Sequence, residues 1–136
     1  MEKNPTMLFV VAAALVNQAN EILIQKRPAG KSMAGLWEFP GGKVEPGELP
    51  VLALIRELNE ELAIRVAPEN LTPVTFASEA LDGRYLLLLL YSCRKWSGQP
   101  RALESAEIEW VTLNEMRGRA MPPADRPFID HLANII

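Results

Sequence analysis

The chain has 136 residues, 49% of them hydrophobic and 23% charged, with a net charge of −3. That length and balance predict a globular protein with a real core and one domain over residues 1–136. The slight acidity argues against a groove for a nucleic-acid backbone. A single cysteine, Cys93, rules out an internal disulfide and a cysteine metal cluster.

Residues 1–6 read as a polar, loose end. Residues 7–16 are an apolar run that follows Lys3 and superficially resembles a signal-peptide core. The run is too short to span a bilayer, so it reads as a buried strand. Residues 17–20 form a turn, and 21–26 return as a second strand, the pair making a hairpin. Residues 27–35 are a flexible basic loop. Its bland reading is a solvated connection; its functional reading is a phosphate-facing loop led by Arg27, because guanidinium suits phosphate oxygens. Residues 36–40 are a short strand in which Glu38 stands between Trp37 and Phe39. Glu38 is either the solvent-facing residue of an alternating strand or an acceptor for a base edge.

A helix is expected over 50–62, a turn over 65–71, and strands over 72–79 and 85–94 joined by an Asp82-Gly83 turn. The second of these strands is continuously apolar, which predicts cover on both faces, and Cys93 near its end reads as a buried thiol. A loop over 95–106 carries Glu104, a further strand spans 108–112, and 113–116 form a short helical turn. The proline-rich link enters a last helix with Asp125 as its N-cap candidate and Phe128, Leu132 and Ile135 as its apolar stripe. His131 borders that stripe and reads as a core-edge residue. No segment has the length and character of a membrane span, so a cytoplasmic protein is expected.

The stretch that carries chemistry is 41–64. Within it, Arg56-Glu57-Leu58-Asn59-Glu60-Glu61 places three carboxylates and one arginine in six residues. On a helix, Glu57, Glu60 and Glu61 occupy neighbouring positions, while Val51, Leu54, Ile55, Leu58 and Leu62 form a separate core side. A solvated acidic face is the bland reading of such a cluster. Gly41-Gly42 before it allows close approach, and Pro46-Gly47 marks a turn. A glycine-flanked loop feeding a carboxylate-bearing helix suits a hard cation such as magnesium, which leans on a few carboxylates and on substrate phosphates.

These residues resemble the box of the Nudix hydrolase family over 42–64: Gly42, Glu48, Arg56-Glu57-Leu58, Glu60-Glu61, then Ala63-Ile64. Only Ala63 departs, standing where the family has glycine near the helix end. Beyond the box, Lys26-Arg27, Met33-Ala34, the 36–40 segment and Pro122-Pro123-Ala124-Asp125-Arg126-Pro127 are similar to the MutT-type branch. The resemblance implies an α/β/α sandwich with a mixed sheet. It implies Mg²⁺ as cofactor, with Mn²⁺ as a substitute, on Glu57 and Glu61, with Glu60, Glu104 and the Gly41 carbonyl as further ligands. Glu104 is alternatively a general base, and Glu48 and Arg56 brace the loop around Gly42 against the helix. Arg27 would meet phosphate, and Glu38, Phe39 and Asp125 would line the base pocket. Asp125 departs from the asparagine of the bacterial mutator enzyme, and an ionised aspartate only accepts hydrogen bonds. The implied reaction converts an oxidised nucleoside triphosphate such as 8-oxo-dGTP to its monophosphate and pyrophosphate. The alternatives are a cytidine or 5-substituted pyrimidine nucleotide as substrate, or a nucleotide-sensing domain without catalysis. The expected partner is a nucleoside triphosphate, with no direct nucleic acid and no membrane, on a monomer or homodimer.

Overall fold

The computed structural model describes residues 6–136. The polar end expected over 1–6 lies outside it, except for Thr6, which opens the first strand. That strand, β1 (Thr6–Leu15), determines the architecture by its alternation. Val11, Ala13 and Leu15 enter one core with Leu54, Leu58 and Leu62 of α1 (Pro50–Leu62). Ala12 and Ala14 enter a second core with Met116 of α2 (Leu113–Arg117) and with Phe128, Ile129 and Leu132 of α3 (Pro127–Ala133). Successive side chains of a strand point to opposite faces, so one apolar strand serves two cores and a helix covers each. This is the expected α/β/α arrangement.

The sheet around β1 is mixed. β4 (Gly41–Lys43) pairs with it antiparallel and β6 (Arg84–Cys93) pairs parallel. β5 (Thr72–Leu81) closes the sheet as the hairpin partner of β6, through a turn in which Gly83 has φ 74°. A second sheet has β2 (Ile22–Lys26) at its centre, flanked by β3 (Trp37–Glu38) and β7 (Glu107–Val111). The expected hairpin between the first two strands is therefore corrected. Both edges of β1 are taken by β4 and β6, so β2 meets it through a single bridge, Val16–Ile22, and passes to the other sheet.

Cover on both faces fails at one end of the sheet. Met7 and Phe9 are 42% and 43% exposed and Tyr85 is 37% exposed, because the buried packing of β1 against α1 is confined to the Val11–Leu15 half. The C-terminal helix also differs in detail. Arg126 takes the cap position and Asp125, one residue earlier, is buried and caps nothing with its side chain. Ile129 completes the inward stripe, whereas Ile135 lies beyond the helix and is exposed, as is His131. Among the described residues, no helix is long and apolar enough to cross a membrane.

Candidate active site

The Gly41-Gly42 pair brings β1, β4 and α1 together. Gly42 lies opposite Val11 and Gly41 opposite Ala12. A Cβ on Gly41 would sit 2.8 Å from the Ala12 Cα and collide with the Val11 carbonyl. A Cβ on Gly42 would lie 2.6 Å from each carboxylate oxygen of Glu57. The first glycine is demanded by backbone against backbone, the second by a carboxylate laid against the strand.

α1 begins at Pro50, where a missing N–H costs nothing, and ends after Leu62 with Ala63 in the left-handed region at φ 60°. Its amphipathic spacing buries Leu54, Leu58 and Leu62 and leaves the acidic residues outward. Arg56 organises them. Its Nε donates to Glu48 Oε2 at 2.8 Å and its Nη2 to Glu48 Oε1 at 3.0 Å, a bidentate pair. Nη2 also donates to the Lys43 carbonyl at 3.1 Å, and Nη1 reaches Glu57 at 3.0 Å and Glu60 at 3.3 Å. The Arg56 guanidinium holds the Glu48 carboxyl down to about 2. Burial pushes the Glu57 carboxyl up, with Arg56 opposing it. Glu61 is the extreme case: burial pushes it up to about 8, against hydrogen bonds from Gln25 and the Gly41 amide, with the charge of Glu57 adding to the rise.

The end of α1 positions one more acid. The terminal carbonyls of Glu61 and Leu62 accept from the amides of Leu103 at 3.1 Å and Arg101 at 2.9 Å. That clips the exposed loop carrying Glu104 to the helix. Glu104 then lines a cavity of about 520 Å³ with Gln25, Arg27, Lys31, Glu38 and Glu61.

A second cavity of about 350 Å³ shares Arg27, Glu38 and Glu61 with the first. It runs past Gly41, Gly42 and Phe39 to Asp125, walled on the far side by Glu79, Leu81, Leu86 and Met33. Arg27 Nη1 donates to both Glu38 oxygens at 3.2 and 3.1 Å, and Nε donates to the Ser32 carbonyl at 2.7 Å. Burial raises the Glu38 carboxyl despite that pair. Asp125 is 7% exposed. Burial and, after it, the charge of Glu38 push it up to about 7, with Phe39 backbone and Arg27 opposing.

Arg27, Glu38, Phe39, Gly41, Glu61, Glu104 and Asp125 thus line the joined cavities, and Glu57 lies against Gly42, itself part of the wall. Glu48 and half-exposed Glu60 stand outside and touch the site only through Arg56. Among the described residues no three acidic, histidine or cysteine side chains are gathered as a metal site. Arg56 engages Glu57 and Glu60, while Glu61 turns toward Gln25 and Gly41. Gln25 and the β5–β6 wall are absent from the residues that the sequence singles out. The readable signal of Gln25 was its place: it directly follows the apolar run Ile22-Leu23-Ile24 and shares the strand face of Leu23. The wall had none, since Leu81 and Leu86 look like any strand residues.

The NUDIX domain profile matches residues 7–132. An Escherichia coli protein named 8-oxo-dGTP diphosphatase is 34% identical over 128 residues, covering 94% of this chain and 98% of its own. Another from Escherichia coli, named CTP pyrophosphohydrolase, is 36% identical over 123 residues, covering 90% of each chain. A crystal structure titled MutT NUDIX hydrolase, from Burkholderia pseudomallei, superposes with a TM-score of 0.82 at 26% identity, covering 93% of this chain and 98% of that one. Together with the box, the two-faced β1 sandwich and the carboxylate-lined cleft, these matches show that the chain belongs to the Nudix family, in its MutT-type branch.

Proposed function

We propose that this protein is a Mg²⁺-dependent pyrophosphohydrolase of nucleoside triphosphates, acting on an oxidised or otherwise modified nucleotide such as 8-oxo-dGTP. The observation that carries the reading is that Glu61 is a wall of both cavities, so a group bound beside Asp125 leads directly to the box carboxylates. We read the Nudix domain as the whole of 1–136 and its partner as the free nucleotide.

The donor set suits a hard divalent cation. Glu57 and Glu61 are oxygen donors whose burial disfavours their charge, and a cation compensates such charges. Both hydrogen bonds to Glu61 fall on Oε2, which leaves Oε1 without a donor among the described residues. In this reading Glu57 and Glu61 would hold the metal, with the Gly41 carbonyl as a further ligand; Glu60, turned to Arg56, supports them, and Glu104 serves as general base rather than as a ligand. When bound, Mg²⁺ supplies charge neutralisation of the polyphosphate and a more acidic water.

The chain's own residues do the rest. Arg27 binds phosphate oxygens, for which its guanidinium must part from Glu38. Arg56 fixes Glu57 and Glu60 relative to the loop. Glu104 accepts the proton of the attacking water, whose oxygen bonds to phosphorus as the P–O bond to pyrophosphate breaks. Glu38, Phe39 and Asp125 orient the base. An ionised Asp125 accepts from N–H groups, which 8-oxoguanine presents at N7 and its amino group. Cytosine presents an amino group too, and the relative named CTP pyrophosphohydrolase keeps a cytidine nucleotide as the second reading.

The test is pyrophosphate release with Mg²⁺ over 8-oxo-dGTP, dGTP, CTP, dCTP and 5-methyl-dCTP. A large kcat/KM preference for 8-oxo-dGTP over dGTP supports the first reading. A preference for the cytidine nucleotides replaces it with the second. Nucleotide binding with no hydrolysis of any of them overturns both and leaves a sensing domain.

A further inference from the structure

Gln25 sits inside β2, with Glu38 opposite it on β3 and Ile108 on β7. It is 4% exposed and follows the fully buried Ile22, Leu23 and Ile24 in the strand. Its Nε2 donates to Glu61 Oε2 at 3.1 Å, and the Gly41 amide donates to the same oxygen at 3.1 Å. Its own Oε1 is buried and has no hydrogen-bond partner among the described residues. Rotating the amide is no remedy, because it would take the donor away from Glu61 Oε2 and put the amide nitrogen where Oε1 now lies without a partner among the described residues.

A buried amide with one oxygen unmet carries a desolvation penalty that methionine, of similar length, does not. Core stability therefore gives no reason for glutamine here. Its contact does. The two donors to Oε2 come from different sheets, Gln25 from the one built on β2 and Gly41 from the one built on β1. A carboxylate gripped at one oxygen by a buried side-chain amide and a backbone amide cannot turn about its last torsion without breaking a bond.

We propose that Gln25 is a positioning residue for Glu61: with the Gly41 amide it immobilises Oε2, so that Oε1 alone is presented to the cation in the phosphate cleft. This rests on the metal-dependent reading above. Groups that orient a metal-binding side chain from behind typically change affinity or activity tenfold or more when removed.

The experiment uses the full chain with Gln25→Met, reading three quantities: the melting temperature without metal, Mn²⁺ affinity by electron paramagnetic resonance without nucleotide, and kcat and KM separately on the best substrate of the panel. The expected result is an unchanged or higher melting temperature, with Mn²⁺ affinity and kcat each down about tenfold and KM within about twofold. Gln25→Asn keeps the amide but shortens the reach, and the same loss of Mn²⁺ affinity is expected. Wild-type Mn²⁺ affinity in either variant overturns the proposal. So does a Gln25→Met chain that melts lower or does not fold, since Gln25 is then a packing residue. Wild-type protein serves as the control: if it neither binds Mn²⁺ nor hydrolyses any nucleotide, the metal-dependent reading fails and takes this one with it. If wild type is active and the variants match it, only the role of Gln25 fails.

Discussion

At the box end of the cleft the charged groups are tied together by one arginine and by a carboxylate that takes two donors, whereas at the Asp125 end most of the wall is apolar side chain with few fixed polar partners. Arg56 bonds Glu48, Glu57, Glu60 and the Lys43 carbonyl, and Glu61 takes two donors on one oxygen. Across the cleft stand Leu81, Leu86 and Met33, the last 52% exposed, with Asp125 and the Arg27–Glu38 pair as the polar features. The contrast fits a division of labour. Cleaving a phosphoric anhydride needs the same fixed charges whatever the base. Choosing a base needs shape and a few convergent polar groups, which can vary without disturbing the charges.

The largest effect should come from removing a charge at the rigid end. Glu57→Gln and Glu61→Gln are each expected to lower kcat by about a thousandfold, the scale of losing a metal's charge stabilisation at the transition state. Circular dichroism and the melting temperature should stay native, and Glu61→Gln should melt no lower than wild type because the amide escapes the cost that the raised carboxyl brings at neutral pH, where the unfolded chain would ionise it freely. Normal pyrophosphate release by either variant would place the chemistry elsewhere.

The two glycines separate geometry from stability at the same end. Gly41→Ala drives a Cβ into the backbone of β1 and is expected to cost about 3 kcal/mol or more of folding stability. Gly42→Ala meets only the far end of the Glu57 side chain, which can swing away. Its stability should change little while kcat falls about a hundredfold, the scale for a misplacement near 1 Å. Thermal melts beside steady-state rates test this, and equal loss of stability in both variants would erase the distinction.

Asp125→Asn probes the other end. It should leave kcat on the best substrate within roughly threefold while shifting the ratio of kcat/KM between nucleotides roughly tenfold, the scale of one charged hydrogen bond. The pH dependence has a definite sign. The folded-state carboxyl is raised from its ordinary 3.8 to about 7, so the folded state holds its proton more tightly than the unfolded chain does. The carboxyl therefore costs no stability below the lower value, costs more as pH rises through that window, and costs a constant amount above it. The amide introduced by Asp125→Asn does not titrate, so the variant should gain on wild type between about pH 4 and pH 7, by at most roughly 4 kcal/mol. Wild-type preference among bases should likewise change across pH 7, where the side chain goes from donor and acceptor to acceptor only. A flat difference in denaturant midpoints from pH 4 to 8 would show Asp125 to be unperturbed.

This division also explains what the sequence disclosed. The box helix was legible to its ends, from Pro50 to Leu62, because proline, heptad-like spacing and the paired acids are all local signals. β1 was legible as buried, but its partner was not. Whether an apolar strand turns back on its neighbour or is claimed by strands far along the chain depends on which edges are taken, and β4 and β6 claim both. Asp125 looked like a cap because Asp before Pro in a helix start is a local pattern. Its burial comes from packing between Pro122, Phe39 and the cavity, which no local pattern records. The cavity wall of Leu81 and Leu86 was illegible for the same reason: it exists only once the β5–β6 hairpin is laid beside β1.

The smallest effect concerns the one position where the box departs from its family. Ala63 adopts φ 60° and ψ 31°, and its amide closes the helix on the Asn59 carbonyl at 3.0 Å. A left-handed alanine costs about 1 kcal/mol relative to glycine, less what glycine loses by its freer unfolded chain. Ala63→Gly should therefore raise the melting temperature by no more than about 2 °C. Turnover should stay within about twofold of wild type. The Glu61 and Leu62 carbonyls are already held by the 101–103 loop, so the last turn, and Glu61 with it, does not depend on the cap alone. A drop in kcat on Ala63→Gly with the melting temperature raised would show that the strained cap helps aim Glu61, and that the rigid end of the cleft extends one turn further than its hydrogen bonds indicate.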